Sequence, residues 1–291
     1  MPWLINATQL DKFRKSQKNV IIFDASLHLD QRDPKHEFAE KHIIDAQFFD
    51  IDFFSDTSSS LPHMLIHDEK LISEKCGSLG IRNDCKIIFY DNSDLHSACR
   101  ALWMLKMFGH NPNQLYILDG GFKAWEKFGG KTESGNPTVT ARSYNANFQP
   151  QFLSTLAQMK SHVTNSITQV IDLRNPVRYA GGPESRPGLR AGHMPGAICL
   201  PFIALFEKDG TFLSLEKIRK KMSDIVIDLN APIATTCGSA ITAPILNFVL
   251  DLLGHENHSV YDGSWSEWGA EKIYLGEESI EERAVETCIE E

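Results

Sequence analysis

The residues best able to do chemistry lie in the stretch 232–245, P-I-A-T-T-C-G-S-A-I-T-A-P-I. Ile233, Ala234, Thr235 and Thr236 predict a short buried strand that ends at Cys237. Five loop residues follow, and then a helical pattern with Ile245, Phe248, Val249 and Leu252 on one face and Gly254 placed to end it. Pro244 suits the first helical turn, which has no use for the missing N–H. A cysteine at such a junction meets unpaired N–H groups and the positive end of a helix dipole. That field favours thiolate over thiol and makes the sulfur a nucleophile. Read alone, a buried cysteine that only fills core space is the competing account.

The elements that must hold this loop recur along the chain. Apolar strands are predicted at 20–24, 86–91 and 115–119, with a helix over 98–108 that stops at Gly109. Residues 129–150 carry Gly, Pro, Ser, Thr and Asn without a period, which places a linker there. The same order then returns with strands at 169–173, 197–201, 232–236 and 259–262. Alternating strands and helices call for a parallel sheet covered on both faces.

The halves superpose residue on residue. Asp24 matches Asp172, and the H-x-x-x-A of His42–Ala46 matches that of His193–Ala197. Ala98 and Gly109 match Ala243 and Gly254, eleven residues apart both times, and Gly120 to Trp125 matches Gly263 to Trp268. A period this long is a duplicated domain. The overlay sets Asp91 opposite Cys237, so a single nucleophile per chain is expected. The division predicted is 1–135, a linker at 136–150, a catalytic domain at 151–276 and an acidic, solvated tail at 277–291.

Composition narrows the function classes. The 291 residues carry a net charge of −9 with 42% hydrophobic content, the profile of a soluble globular protein. No Lys/Arg cluster invites nucleic acid or an anionic membrane. The N-terminus lacks a basic segment followed by an apolar one, and no apolar run approaches the roughly 18 residues of a membrane span. Six scattered cysteines with no C-x-x-C and no zinc spacing point to free thiols in a reducing cytoplasm. A Cys-x5-Arg phosphatase loop is excluded, because the sixth residue after Cys237 is Ala243.

Two tandem copies of H-(M/I)-(P/I)-(G/D)-A, the D-G-x-x-x-W elements, L-P-H-M-L at 61–65, P-G-L-R-A-G-H-M-P-G-A at 187–197 and the C-G-S-x-x-T-A loop resemble the tandem-domain rhodanese family. Within it, the loop resembles the 3-mercaptopyruvate sulfurtransferase branch. The resemblance covers 20–274 and implies two α/β domains, each with a parallel central sheet and helices on both faces. It implies a persulfide on Cys237, a small-molecule sulfur donor, and a thiol acceptor (a small thiol or a thioredoxin-like protein) or cyanide. No cofactor or metal is implied. Non-enzymatic members of such families typically lack the loop cysteine, which this chain keeps.

Gly238, Ser239, Ala240, Ile241 and Thr242 would cradle the persulfide with their backbone N–H groups. Thiosulfate-specific members carry cations just after the cysteine; here Gly238 and Ser239 are neutral, which favours an α-keto acid donor. Arg178 and Arg186 match the two family arginines that hold the donor's carboxylate and carbonyl. Ser239 matches a serine proposed to relay a proton with a histidine and an aspartate of the first domain, which fall on His63 and Asp52. His63 by itself reads as an ordinary loop histidine. The chain also departs from the family: C-G-S-A-I-T replaces C-G-S-G-V-T, so Ala240 is expected to carry about 1 kcal/mol of strain if its φ is positive.

Overall fold

The longer strands are short runs rich in β-branched and aromatic residues, as a parallel sheet buried on both faces requires. The structure is a computed structural model that describes residues 3–16, 19–274, 277 and 279–288. Its chain contacts divide into two units. The first comprises 1–56, 65–149 and 206–212; the second comprises 57–64, 150–205 and 213–291.

In the first unit the sheet strands are β1 (Leu4–Ile5), β2 (Val20–Asp24), β3 (Ala46–Phe48), β4 (Lys86–Tyr90) and β5 (Leu115–Leu118). They are all parallel and lie in the order β1-β5-β4-β2-β3. In the second unit β6 (Leu153–Ser154), β7 (Gln169–Asp172), β8 (Ile198–Cys199), β9 (Ile233–Thr236) and β10 (His258–Tyr261) lie in the order β8-β7-β9-β10-β6, again parallel. Read from the opposite edge, this is the same order, so the duplication extends to topology. Helices flank both sheets, among them Ala98–Met107 and its counterpart Ala243–Leu253. Both are buried along most of their length.

The repeat reaches single side chains. His42 Nδ1 meets the Phe38 carbonyl oxygen at 2.7 Å and its ring stacks on Phe38; His193 Nδ1 meets the Tyr179 carbonyl oxygen at 2.8 Å and stacks on Tyr179. These are turn-fixing histidines.

Trp125, Trp265 and Trp268 are at most 1% exposed and belong to the cores. Their indole N–H groups each find a carbonyl, at Lys131, Arg190 and Ala284, and so the rings can be buried whole. Residues 136–149 have no regular structure, yet they are tied to the first unit by hydrogen bonds such as Arg142 N to Gly77 O and Asn147 N to Phe108 O. The acidic tail is not a solvated appendage where it is described. Arg283 is 0% exposed and donates to the carbonyls of Glu267, Trp268, Ala270 and Lys272 and to Glu277. Counting charges missed this, because the one arginine decides the segment's place. Residues 278 and 289–291 of the predicted tail lie outside the described residues.

Among the described residues no helix is long and apolar enough to cross a membrane. None of their His, Cys, Asp and Glu side chains group as metal ligands would.

Candidate active site

β9 is paired on both sides, with β7 and β10, so its C-terminal end is fixed on two edges. Cys237 follows directly and is 2% exposed. Its N–H donates to Ser264 Oγ at 3.2 Å, and its carbonyl accepts from Trp265 N at 3.0 Å. The Gly238 carbonyl accepts from the Ser266 amide (2.9 Å), Ser266 Oγ (2.8 Å) and Arg186 Nη1 (3.2 Å). The loop is thus laced to the turn that follows β10. Among the described residues Ser239 Oγ has no hydrogen-bond partner, and Ser239 is half-buried.

Ala240 is 0% exposed with φ 57°. The condition set for strain at this position is therefore met, and the methyl adds about 1–2 kcal/mol of local strain. Ile241 and Thr242 are buried, and Thr242 is the N-cap of the helix Ala243–Leu253 with Pro244 in its first turn.

Arg178 rides on the short helix Pro176–Tyr179, whose start is fixed by Asn175 Oδ1 accepting from the Arg178 amide at 2.9 Å. Arg186 comes from the loop that follows. A β-carbon built on Gly238 would stand 3.6 Å from Arg178 Nη1 and 3.7 Å from Arg186 Nη1. Both guanidiniums therefore lie over the residue next to Cys237. Arg186 Nη2 is buried without a partner among the described residues. A buried donor left open costs about 1–3 kcal/mol unless a ligand takes it, which suits an anion seated there.

Cys237, Gly238, Ser239, Ala240, Ile241, Thr242, Arg178 and Arg186 are thus collected in the second unit. His63 belongs to the segment 57–64 that is also part of this unit, where it is half-buried with φ 59°. Asp52 belongs to the first unit. It sits in the 3-10 turn Ile51–Phe54, is exposed, and lines a cavity of about 330 Å³ with His28, Lys35 and Asp50.

The site also contains residues that sequence reasoning missed. Ser264 and Ser266 lie in D-G-S-W-S-E-W at 262–268, the second D-G-x-x-x-W element, which marked the repeat and the family resemblance without giving its serines a role. Glu184, in G-G-P-E-S-R between the two arginines, bonds to both. Its spacing between two cations was the available signal.

The position opposite Cys237 in the first unit is Asp91. Its carboxylate accepts from the Ala98 amide at 2.8 Å and the Ser93 amide at 3.4 Å, and burial raises its pKa to about 7. Elsewhere burial pushes the Cys76 and Cys99 thiols up, and Cys199 to about 11, so those three are poor nucleophiles.

A family model described as Rhodanese-like domain matches this chain twice, at 6–128 and 155–271. The Homo sapiens protein named 3-mercaptopyruvate sulfurtransferase is 37% identical over 252 residues, which is 85% of this chain and 84% of that protein. The Arabidopsis thaliana protein named thiosulfate/3-mercaptopyruvate sulfurtransferase 1, mitochondrial, is 36% identical over 274 residues, 86% of this chain and 72% of that one. Among solved structures, the 3-mercaptopyruvate sulfotransferase SseA from Escherichia coli superposes with a TM-score of 0.82 at 30% identity, covering 92% of this chain and 100% of that one.

Proposed function

The chain belongs to the rhodanese family, and from that premise we propose that it moves sulfane sulfur from 3-mercaptopyruvate to an acceptor through a persulfide on Cys237. The observation that carries this reading is the position of two guanidiniums over Gly238, beside a cysteine at the mouth of a parallel sheet. Such an arrangement holds a small carboxylate with its thiol end at the cysteine sulfur.

Cys237 thiolate attacks the donor sulfur and the carbon–sulfur bond breaks. Its electron pair leaves on carbon as pyruvate enolate, which takes up the proton that the donor thiol gives up. Pyruvate departs, and the enzyme keeps the outer sulfur as a persulfide. The charge on that sulfur is stabilised by the loop backbone from Gly238 to Thr242 and the dipole of the helix Ala243–Leu253. A thiol (small, or carried by a thioredoxin-like protein) or cyanide then attacks the outer sulfur and restores Cys237. Ser239, with His63 and Asp52, is the group we assign to the proton relay.

Thiosulfate is the competing donor, and the Arabidopsis relative's name carries both. The neutral Gly238 and Ser239 favour the keto acid. We place the reaction in the cytoplasm, where a reducing pool keeps free cysteines as thiols; cell fractionation checks this against the mitochondrial alternative.

Intact mass spectrometry tests the scheme. Adding 3-mercaptopyruvate should raise the mass by about one sulfur atom, lost on cyanide treatment and absent in Cys237→Ser. No gain with either donor would sink the proposal.

A further inference from the structure

A carboxylate sits between the two guanidiniums of the site. Glu184 Oε2 accepts from Arg178 Nη2 at 2.6 Å and Nε at 3.2 Å; Oε1 accepts from Arg186 Nε and the Arg186 amide, both at 3.2 Å. The Glu184 side chain is only 4% exposed, against 28% and 33% for the two arginines. Water therefore reaches the cations and hardly reaches the anion. Burial by itself would push the Glu184 carboxyl up, but the hydrogen bonds and charges of Arg186 and Arg178 outweigh it and hold the group below the usual range. It is ionised at neutral pH.

The bonds also leave selected donors open. Glu184 occupies the Nε edge of both guanidiniums and one Nη of Arg178. Arg186 Nη1 goes to the Gly238 carbonyl and Ser266 Oγ. What remains is Arg178 Nη1, without a hydrogen bond among the described residues, and Arg186 Nη2, buried without a partner among them. Two N–H ends, one from each arginine, fit a single carboxylate.

We propose that Glu184 sets donor selectivity: by cancelling one of the two guanidinium charges it leaves a clamp of net charge +1, matched to a singly charged 2-oxo carboxylate and mismatched to a dianion such as thiosulfate. The inference rests on the reading that Arg178 and Arg186 bind the donor. A dianion entering this clamp would keep one charge that the clamp does not compensate, a penalty the keto acid does not meet. Glu184 touches no reacting atom; it positions the arginines and fixes their sum.

The test compares kcat/KM for 3-mercaptopyruvate and for thiosulfate, with cyanide as acceptor, in the parent enzyme, Glu184→Gln and Glu184→Asp. The Gln variant should lower the ratio of the two by about tenfold or more, chiefly through a lower KM for thiosulfate. The Asp variant, which keeps the charge, should hold the ratio within about threefold of the parent even if both rates fall. A structural role alone would depress both donors alike; an unchanged ratio in Gln, or an equal shift in Asp, overturns the proposal. Should Glu184→Gln fail to fold, the parent enzyme still decides it through competitive inhibition by methanesulfonate and sulfate at fixed ionic strength. The monoanion should bind at least as tightly, and a preference of about tenfold for sulfate would refute the inference. A parent enzyme that turns over neither donor defeats the functional reading itself, whereas an active parent with an unshifted ratio defeats only the role of Glu184.

Discussion

The Cys237 amide donates to Ser264 Oγ over 3.2 Å, and that hydroxyl donates in turn to the Tyr261 carbonyl over 2.8 Å. Ser264 is 0% exposed and held at φ 48°. It ties the start of the cysteine loop to the end of the neighbouring strand. Ser264→Ala leaves the buried Cys237 N–H without its acceptor, at a cost of about 1–3 kcal/mol. The urea midpoint should fall and persulfide formation should slow. Parent-like values for both would show that the bond is dispensable.

Ala240 sits at φ 57° with no exposed surface. Glycine there relieves about 1–2 kcal/mol of strain and loses about 0.8 kcal/mol of methyl burial, so Ala240→Gly should be neutral to slightly stabilising. Ala240→Val adds two methyl groups to a filled space in a conformation that β-branched residues resist, and should cost about 2 kcal/mol or more. Thermal melts of the pair check the sign; a stabilising valine would contradict the assigned backbone.

Removing Arg283 strips the carbonyls of Glu267, Trp268, Ala270 and Lys272 of a shared donor. It also leaves Glu277, whose side chain is 2% exposed, with Lys160 as its ion-pair partner. Arg283→Met should destabilise the protein by about 3–5 kcal/mol. A chain ending at Tyr274 should suffer similarly, because Trp268 Nε1 loses the Ala284 carbonyl. Chemical denaturation measures both, and a truncated chain of undiminished stability would mean that the C-terminal segment is dispensable.

Asp91 gives stability a pH dependence of defined sign. Burial raises its pKa from 3.8 to about 7, so the folded state holds the proton more tightly than the unfolded one. The contribution is complete below about 3.8 and is lost as pH climbs to about 7. Asp91→Asn, whose side-chain carbonyl can still accept from the Ala98 amide, should therefore stabilise the protein above about pH 7, by up to a few kcal/mol, and do little near pH 4. Melting temperatures of parent and variant across that range decide it; a gap that widens toward acid would reverse the sign and refute the assignment.

Much of this protein could be read from residue order alone. Apolar runs ending in Asp, and helices ending at Gly109 and Gly254, are local signals, and each of the seven expected strands appears within a residue or two of its place, whereas the short strands β1, β3 and β6 were not foreseen. Cys237 and its loop were legible because a strand–loop–helix junction is written in consecutive residues. Ala240 stood out as a substitution in a glycine's place, but its positive φ was supplied by the structure. Tertiary structure decided what depends on residues far apart in sequence. Glu184 meets Arg178 and Arg186 only when its own loop folds back on them; Ser264 matters because β10 lies beside β9. The tail looked solvated because charge is read by counting, whereas Arg283 is buried by the carbonyls that converge on it. Periodicity and turn chemistry are properties of neighbouring residues, but the sum of charges in a site exists only after the chain has closed.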